Sequence, residues 1–265
     1  MLARLLLACS CLLALAGAAW GDTCTLVTEL DTGRVVKREG DCERRNSPAS
    51  TFKVPLSLMG YDAGILKDED EPAWPYRPEY KSWNEAWRKT TTPRSWLKDS
   101  VLWYSHVLTR ELGEDRFKRY VEAFGYGNRD VSGDRGKANG LTRAWLSASS
   151  LQISPVEQIA FLSRLLKRKL PISGKAREMA LAIMPAFPLP DGWTAYGKTG
   201  TGFQPLQNGT FDRSRQFGWF IGWAQKGERK ILFARLIRDE RKENFVASFR
   251  ARDSLLADLP ALLAE

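Results

Sequence analysis

The sequence predicts an α+β fold in which both ends of the chain build one antiparallel sheet and a helical lobe is inserted between them. Three observations predict it. Strand-like runs occupy residues 24 to 40, apolar positions at three- and four-residue spacing dominate from about 51 to 190, and β-rich runs return from 193 to 238. The reading is one domain over 20–265, with a sheet lobe at about 20–50 and 191–265 and a helical lobe at about 51–190. The cleft between the lobes is the expected site.

The elements follow in order. Arg4, the apolar stretch Leu5 to Leu15 and the small residues Ala16-Gly17-Ala18-Ala19 read as a secretory signal peptide over residues 1–19, too short and wrongly flanked for a membrane span. Cys9 and Cys11 leave with it, so the mature chain keeps Cys24 and Cys42. These flank the runs Thr25 to Leu30 and Arg34 to Lys37, joined by Asp31-Thr32-Gly33. Each cysteine lies nine residues from Gly33, so a hairpin centred there sets them face to face, and a disulfide is expected in an oxidising compartment. Helical spacing then marks Trp83 to Lys89, Trp96 to Leu112, Glu114 to Phe124, Pro155 to Leu170 and Ser173 to Met184. Strands are expected at Trp193 to Lys198, Gln216 to Ala224 and Lys230 to Arg238, and an amphipathic helix from Phe245 to Leu263 closes the chain.

Composition narrows the function. The formal charge of +9 becomes +8 once Arg4 is removed, and the basic residues are scattered, with Lys167-Arg168-Lys169 the densest run. That run sits at a helix end, where cations are favoured, so a solvated basic face is read rather than a nucleic-acid surface. No segment after the signal is long and apolar enough to cross a membrane, and no stable membrane association is expected. His106 is the only histidine, so neither a zinc cluster nor a well-supplied Ser-His-Asp triad can be assembled, and lysine is the better candidate base.

The chemistry rests on Ser50-Thr51-Phe52-Lys53, an S-x-x-K motif, and on Lys198-Thr199-Gly200, which begins 145 positions after Lys53. Positions i and i+3 share a helix face, so the Ser50 hydroxyl and the Lys53 amine can meet as nucleophile and base. A second S-x-x-K, Ser95-Trp96-Leu97-Lys98, fits an ordinary helix start with an exposed lysine. Asn46-Ser47-Pro48 and the apolar run Val54 to Met59 set Ser50 apart, as for a buried helix entered from a loop.

With these motifs in order, the chain resembles the class D serine β-lactamases of the oxacillinase type. The resemblance rests on Ser50 to Lys53, Ser105-His106-Val107, Tyr126-Gly127-Asn128, Trp145-Leu146 with Leu151 to Pro155, and Lys198-Thr199-Gly200. It implies the serine β-lactamase and penicillin-binding transpeptidase-like fold, and hydrolysis of penicillin-type lactams through a Ser50 acyl-enzyme. Lys53 would carry a carbamate formed with carbon dioxide or bicarbonate, with no other cofactor and no metal, and would serve as general base in acylation and deacylation. Trp145 would hold that carbamate, and Val107 and Leu146 would line its pocket.

The same resemblance assigns the oxyanion donors to the backbone of Ser50 and Thr201. Ser105 would relay a proton to the leaving nitrogen beside Lys198. Thr199, Gly200 and Thr201 would bind substrate, with Arg250, or else Arg252, clamping its carboxylate. Tyr126-Gly127-Asn128 reads as architectural and His106 as turned away from the site. Gly202-Phe203 departs from the bulky-then-small order common in the family. A bacterial periplasm is the expected location and small β-lactams the expected partners. The alternative is a penicillin-binding sensor domain that acylates without efficient turnover.

Overall fold

The computed structural model describes residues 22–264 apart from Lys81 and Trp83. The expected signal peptide lies outside the described residues. Six strands form one wholly antiparallel sheet in the order β2-β1-β6-β5-β4-β3: β1 Thr23–Glu29, β2 Val35–Glu39, β3 Ala186–Pro188, β4 Thr194–Pro205, β5 Phe211–Lys226 and β6 Arg229–Arg238. Both termini therefore contribute to one sheet, as the sequence predicts. β5 and β6 alternate little because the sheet is covered on both faces, leaving Phe217 to Ala224 and Ile231 to Asp239 buried throughout.

The helices are α1 Lys53–Asp62, α2 Pro93–Asp99, α3 Leu102–Leu112, α4 Glu114–Ala123, α5 Gly140–Arg143, α6 Pro155–Leu166, α7 Gly174–Ala182 and α8 Ala247–Leu263. On one face of the sheet Leu255, Leu259 and Leu263 of α8 pack with Val27, Phe220 and Phe233. The larger core lies between the other face and the helical lobe. α1 runs through it and is buried on every side from Lys53 to Tyr61, as expected for a helix inside the core. Leu56, Leu58 and Met59 are completely buried, and each contributes roughly 1.5–3 kcal/mol by leaving water.

Three local differences from the sequence reading have physical causes. The expected helix from Trp96 to Leu112 is broken at Ser100, whose φ of 59° ends α2 before α3 starts at Leu102. In place of a helix over Trp83 to Lys89 there is one short turn at Glu85–Trp87, capped by Asn84. The disulfide Cys24–Cys42 forms, but the cysteines are not directly opposed. Thr25 pairs with Glu39 and a register shift falls between Val27 and Thr28, so Cys42 lies beyond the paired region and reaches back with a Cα separation of 5.2 Å.

Candidate active site

A cleft of about 680 Å³ opens between the sheet and the helical lobe, and Ser50 lies in its wall with Ser100, Leu102, Leu146, Thr199 and Thr201. Ser50 sits in a tight 3₁₀ turn, Ala49–Phe52, that runs straight into α1. Ala49, just before it, is held in a left-handed conformation with φ 49°, a strained state for a residue with a Cβ. Its backbone N–H donates to Trp145 O at 2.9 Å, and Ser47 Oγ donates to the same carbonyl at 2.8 Å. The indole of Trp219 donates to Ser47 O at 2.9 Å. The nucleophile loop is thus fastened on one side to the segment bearing Trp145 and on the other to β5.

The helical register then delivers what the motif predicts. Lys53 Nζ lies 3.2 Å from Ser50 Oγ. Lys53 is 1 % exposed, and burial, reinforced by the nearby charge of Lys198, holds its amine well below the usual lysine range. A neutral amine beside a hydroxyl is a base poised to accept its proton. The indole of Trp145 lies on Phe52 with ring centroids 5.2 Å apart, and its Nε1 is buried without a hydrogen-bond partner. Leaving such a donor unsatisfied costs about 1–3 kcal/mol, so this pocket is suited to a polar acceptor. The residues fit a carbamate on Lys53.

The second half of the site comes from β4. Gly200 passes so close to the nucleophile loop that an added Cβ would lie 2.9 Å from Thr51 N and 3.1 Å from Ser50 N, so glycine is required for the strand to approach. β3 pairs with β4 only from Thr194 to Tyr196, which frees the following edge to border the cleft. Lys198 Nζ donates to Ser100 Oγ at 3.0 Å and to Thr199 O at 3.0 Å. Burial pushes its amine down to about 7. On the far side Gly218, paired with Thr201, lets the first turn of α8 sit on β5, since a Cβ there would lie 2.2 Å from Ser248 N. Thr201 Oγ1 consequently donates to Ser248 Oγ at 2.6 Å.

Two assignments from the sequence are corrected by this geometry. Ser105 is fully buried, accepts from the Trp96 indole at 2.9 Å and is absent from the cleft lining, while Ser100 is the serine on Lys198. The triplet at the site is therefore Ser100-Val101-Leu102, and Leu102 lines the cleft where Val107, half-buried on α3, does not. The signal was present as an S-x-apolar triplet after Asp99, but a continuous helical reading hid the break that exposes it. Arg250 is likewise engaged elsewhere: its guanidinium binds both oxygens of buried Asp239 at 2.6 and 2.7 Å and donates to Phe245 O at 3.2 Å. Arg252 binds Asp253 at 2.7 Å and lies over the Phe249 ring, and neither arginine lines the cleft.

Phe203, which the sequence marks as a departure from the family order, lines the cleft, together with Ser248, Phe211 and Arg213, to which the sequence assigns no role. The two phenylalanine rings stack at 5.4 Å, with the guanidinium of Arg213 5.2 Å from the Phe211 centroid. Tyr126 and Asn128 are placed as supports: Tyr126 packs on Phe52 at 5.5 Å, and Asn128 Oδ1 accepts from Gln152 N at 3.0 Å. Lys98 of the second S-x-x-K is exposed, and Ser95 belongs to the capping box that starts α2. Among the described residues no group of three His, Cys, Asp or Glu side chains is placed to hold a metal ion.

A cleft-wall serine nucleophile on a buried lysine, with a second serine–lysine pair at the neighbouring sheet edge, defines the class of active-site-serine acyl transferases that open through an acyl-enzyme. The comparisons place the chain within it. Residues 23–256 match the family described as the penicillin binding protein transpeptidase domain. Beta-lactamase OXA-9 of Klebsiella pneumoniae is 46 % identical over 241 residues, covering 91 % of this chain and 88 % of that one. Beta-lactamase OXA-1 of Escherichia coli is 35 % identical over 244 residues, covering 91 % and 85 %. The crystal structure of the OXA-427 class D beta-lactamase matches with a TM-score of 0.85 and 45 % identity, covering 91 % of this chain and 98 % of that chain. The chain belongs to the class D serine β-lactamase family.

Proposed function

We propose that the protein hydrolyses the amide bond of the β-lactam ring in penicillin-type antibiotics through a Ser50 acyl-enzyme. The observation that carries the reading is the Ser50–Lys53 pair, 3.2 Å apart with the lysine buried and its amine depressed. Ser50 Oγ attacks the lactam carbonyl as its proton passes to the base at Lys53. The developing oxyanion is taken by the backbone N–H groups of Ser50 and Thr201, held ready by the tight approach of Gly200 to the nucleophile loop. A carbamate on Lys53 would supply a stronger base there for both acylation and the activation of water.

Departure of the ring nitrogen needs a proton. Ser100 delivers it, with Lys198 at 3.0 Å behind it as the source of charge. The substrate carboxylate is read by hydroxyls, Thr199, Thr201 and Ser248, within reach of the Lys198 charge, in place of an Arg250 clamp. The acyl side chain meets the wall of Phe203, Phe211 and Phe249, with Arg213 at its rim. Residues 1–19 act as the export signal of a single catalytic domain over 20–265, and the mature enzyme works in a bacterial periplasm.

Intact mass followed against time after one equivalent of benzylpenicillin, in bicarbonate buffer, tests the reading. The expected record is an adduct on Ser50 that appears and decays as hydrolysed drug accumulates. A lasting adduct would instead identify a penicillin-binding sensor, and no adduct would overturn the assignment of the site.

A further inference from the structure

Three charged side chains line the cleft: Asp99, Arg143 and Arg213. Two of them are engaged elsewhere. Asp99 binds Lys89 Nζ at 2.9 Å, and the Arg143 guanidinium binds Asp134 at 3.1 Å. Among the described residues no carboxylate pairs with Arg213, and the acid next to it, Asp212, is taken up by Ser214 and Arg215. Arg213 is exposed and is the one lining charge without a counter-charge.

The chain builds the place where that charge stands. Phe211 and Arg213 are two residues apart on β5 and so share a face of the strand. A register shift between Phe203 and Gln204 in β4 interrupts the ladder opposite them, and Phe203 stacks on Phe211 at 5.4 Å with 12° between the rings. The guanidinium lies 5.2 Å from the Phe211 centroid and 6.0 Å from that of Phe203. Phe203 N donates to Ser147 Oγ at 2.9 Å, and Gly202 allows that approach, since a Cβ there would lie 2.8 Å from the same oxygen. The Gly202-Phe203 order, a departure from the family pattern, is therefore what erects the wall: the glycine brings the strand in and the phenylalanine faces the cleft. Phe203 stands two residues beyond Thr201 on the same face of β4, about 7 Å along the strand. An arylacetamido side chain leaving the lactam ring along this edge spans that length.

We propose that Arg213 selects the acyl side chain by charge, favouring penicillins whose aryl group carries an acidic substituent at the adjacent carbon; this rests on the hydrolase reading above and names its substrate class. The aryl ring packs on the Phe203–Phe211 wall, and the acidic group meets the guanidinium fork, which pairs with a carboxylate through two parallel N–H donors. An ammonium group at the same carbon is repelled. Specificity is the difference between the two. The ring carboxylate common to all penicillins stays with Lys198 and the hydroxyls of Thr199, Thr201 and Ser248, so a second anion has Arg213 to itself.

The test uses benzylpenicillin with its α-carboxy and α-amino derivatives, which share the bicyclic ring and differ only in charge at one carbon. kcat/KM is measured for each at about pH 6.5, where the amino group is protonated, and is expressed relative to benzylpenicillin. In Arg213→Met the α-carboxy ratio should fall about 5-fold, the upper range for one exposed ion pair, while the α-amino ratio rises. Both changes should lie in KM. Arg213→Glu should carry them further in the same directions, and Arg213→Lys should stay nearer the wild type. In the wild type the α-carboxy ratio should drop and the α-amino ratio climb as salt goes from about 0.01 M to about 1 M, because the Debye length shortens from about 30 Å to about 3 Å. Ratios unmoved by salt and by both Met and Glu overturn the proposal, as does a loss of equal size on all three substrates, which wall packing alone would give. A wild type that turns over none of the three removes the hydrolase reading itself, and the subsite with it. The salt series on the wild-type protein decides the matter even where a variant fails to fold.

Discussion

The two serine–lysine pairs of the cleft use the same residue types and are built in opposite ways. Ser50 and Lys53 are three residues apart, and the turn of one helix brings them to 3.2 Å. Ser100 and Lys198 are 98 residues apart, and a helix break at Ser100 between α2 and α3, a sheet edge and the closure of two lobes bring them to 3.0 Å. Both lysines are buried and both amines are depressed. The first pair is therefore a property of local geometry that survives small movements of the lobes, whereas the second exists only when the lobes are docked. Proton abstraction from the nucleophile is assigned to the rigid pair, and proton delivery to the leaving group to the pair that docking assembles.

Breaking the local pair should have the largest effect. Ser50→Ala is expected to abolish the covalent adduct and to lower kcat/KM by at least about 10⁴-fold, as for other activated nucleophiles. Lys53→Ala should come close to it, because the serine then lacks a base. Stopped-flow acylation with a chromogenic cephalosporin, read beside adduct mass, separates the two: Lys53→Ala keeps a nucleophile and can still acylate slowly. An unimpaired rate in either variant would remove the pair from the chemistry.

The docked pair should come next, at about 10²–10⁴-fold in kcat for Ser100→Ala or Lys198→Met, the range for loss of one acid–base group. Ser105→Ala sharpens the comparison because sequence alone favoured that serine. It should retain turnover within a few-fold and instead lower stability by about 1–3 kcal/mol, since the buried Trp96 N–H loses its acceptor. If Ser105→Ala were the inactive variant and Ser100→Ala the active one, the geometric assignment would fail.

Much of this was legible in the sequence, and the failures share one cause. The S-x-x-K pair, the K-T-G strand and the two-ended sheet follow from local spacing or element order, and the supports at Tyr126 and Asn128 from the family resemblance. Ser100 did not, because a left-handed residue inside an amphipathic stretch leaves the apolar periodicity on either side intact. Arg250 was misassigned for the same reason. Its place at the start of the last helix is visible in the chain, while its partner Asp239, at the end of β6, is brought to it only by folding. The three-residue β3 is too short to show a period. Spacing reports what one element does to its own side chains and is silent on which residues of another element will meet them.

The depressed amine of Lys198 gives the docked pair a pH signature. Unfolded, the lysine titrates near its ordinary value of 10.5; folded, burial brings it to about 7. Between these values the unfolded chain holds a proton that the folded chain has lost, so stability rises with pH across this window. Below about 7 both states are protonated and the full cost of burying the charge is present, on the order of 5 kcal/mol. Urea denaturation of the wild type should therefore show stability climbing from about pH 7 towards 10, and Lys198→Met should remove that component. The same slope in both proteins would place the titration elsewhere.

The smallest effect on turnover concerns which pair the substrate carboxylate approaches. Ser248, hydrogen-bonded to Thr201 within the cleft, stands with the Lys198 side of the site. Ser248→Ala should raise KM by about 10-fold with kcat nearly unchanged, the loss of one hydrogen bond to a charged group. Arg250→Met should leave KM within a few-fold, because its guanidinium is already spanned by Asp239. Its effect falls on stability: Asp239 is left buried without its partner, which costs about 3 kcal/mol, towards the low end for a buried pair because Arg250 retains some contact with solvent. Steady-state kinetics on a penicillin, run beside thermal melts of both variants, distinguishes a binding defect from a folding one. A KM defect confined to Arg250→Met, with Ser248→Ala unaffected, would return the carboxylate clamp to the arginine and require Asp239 to release it when substrate binds.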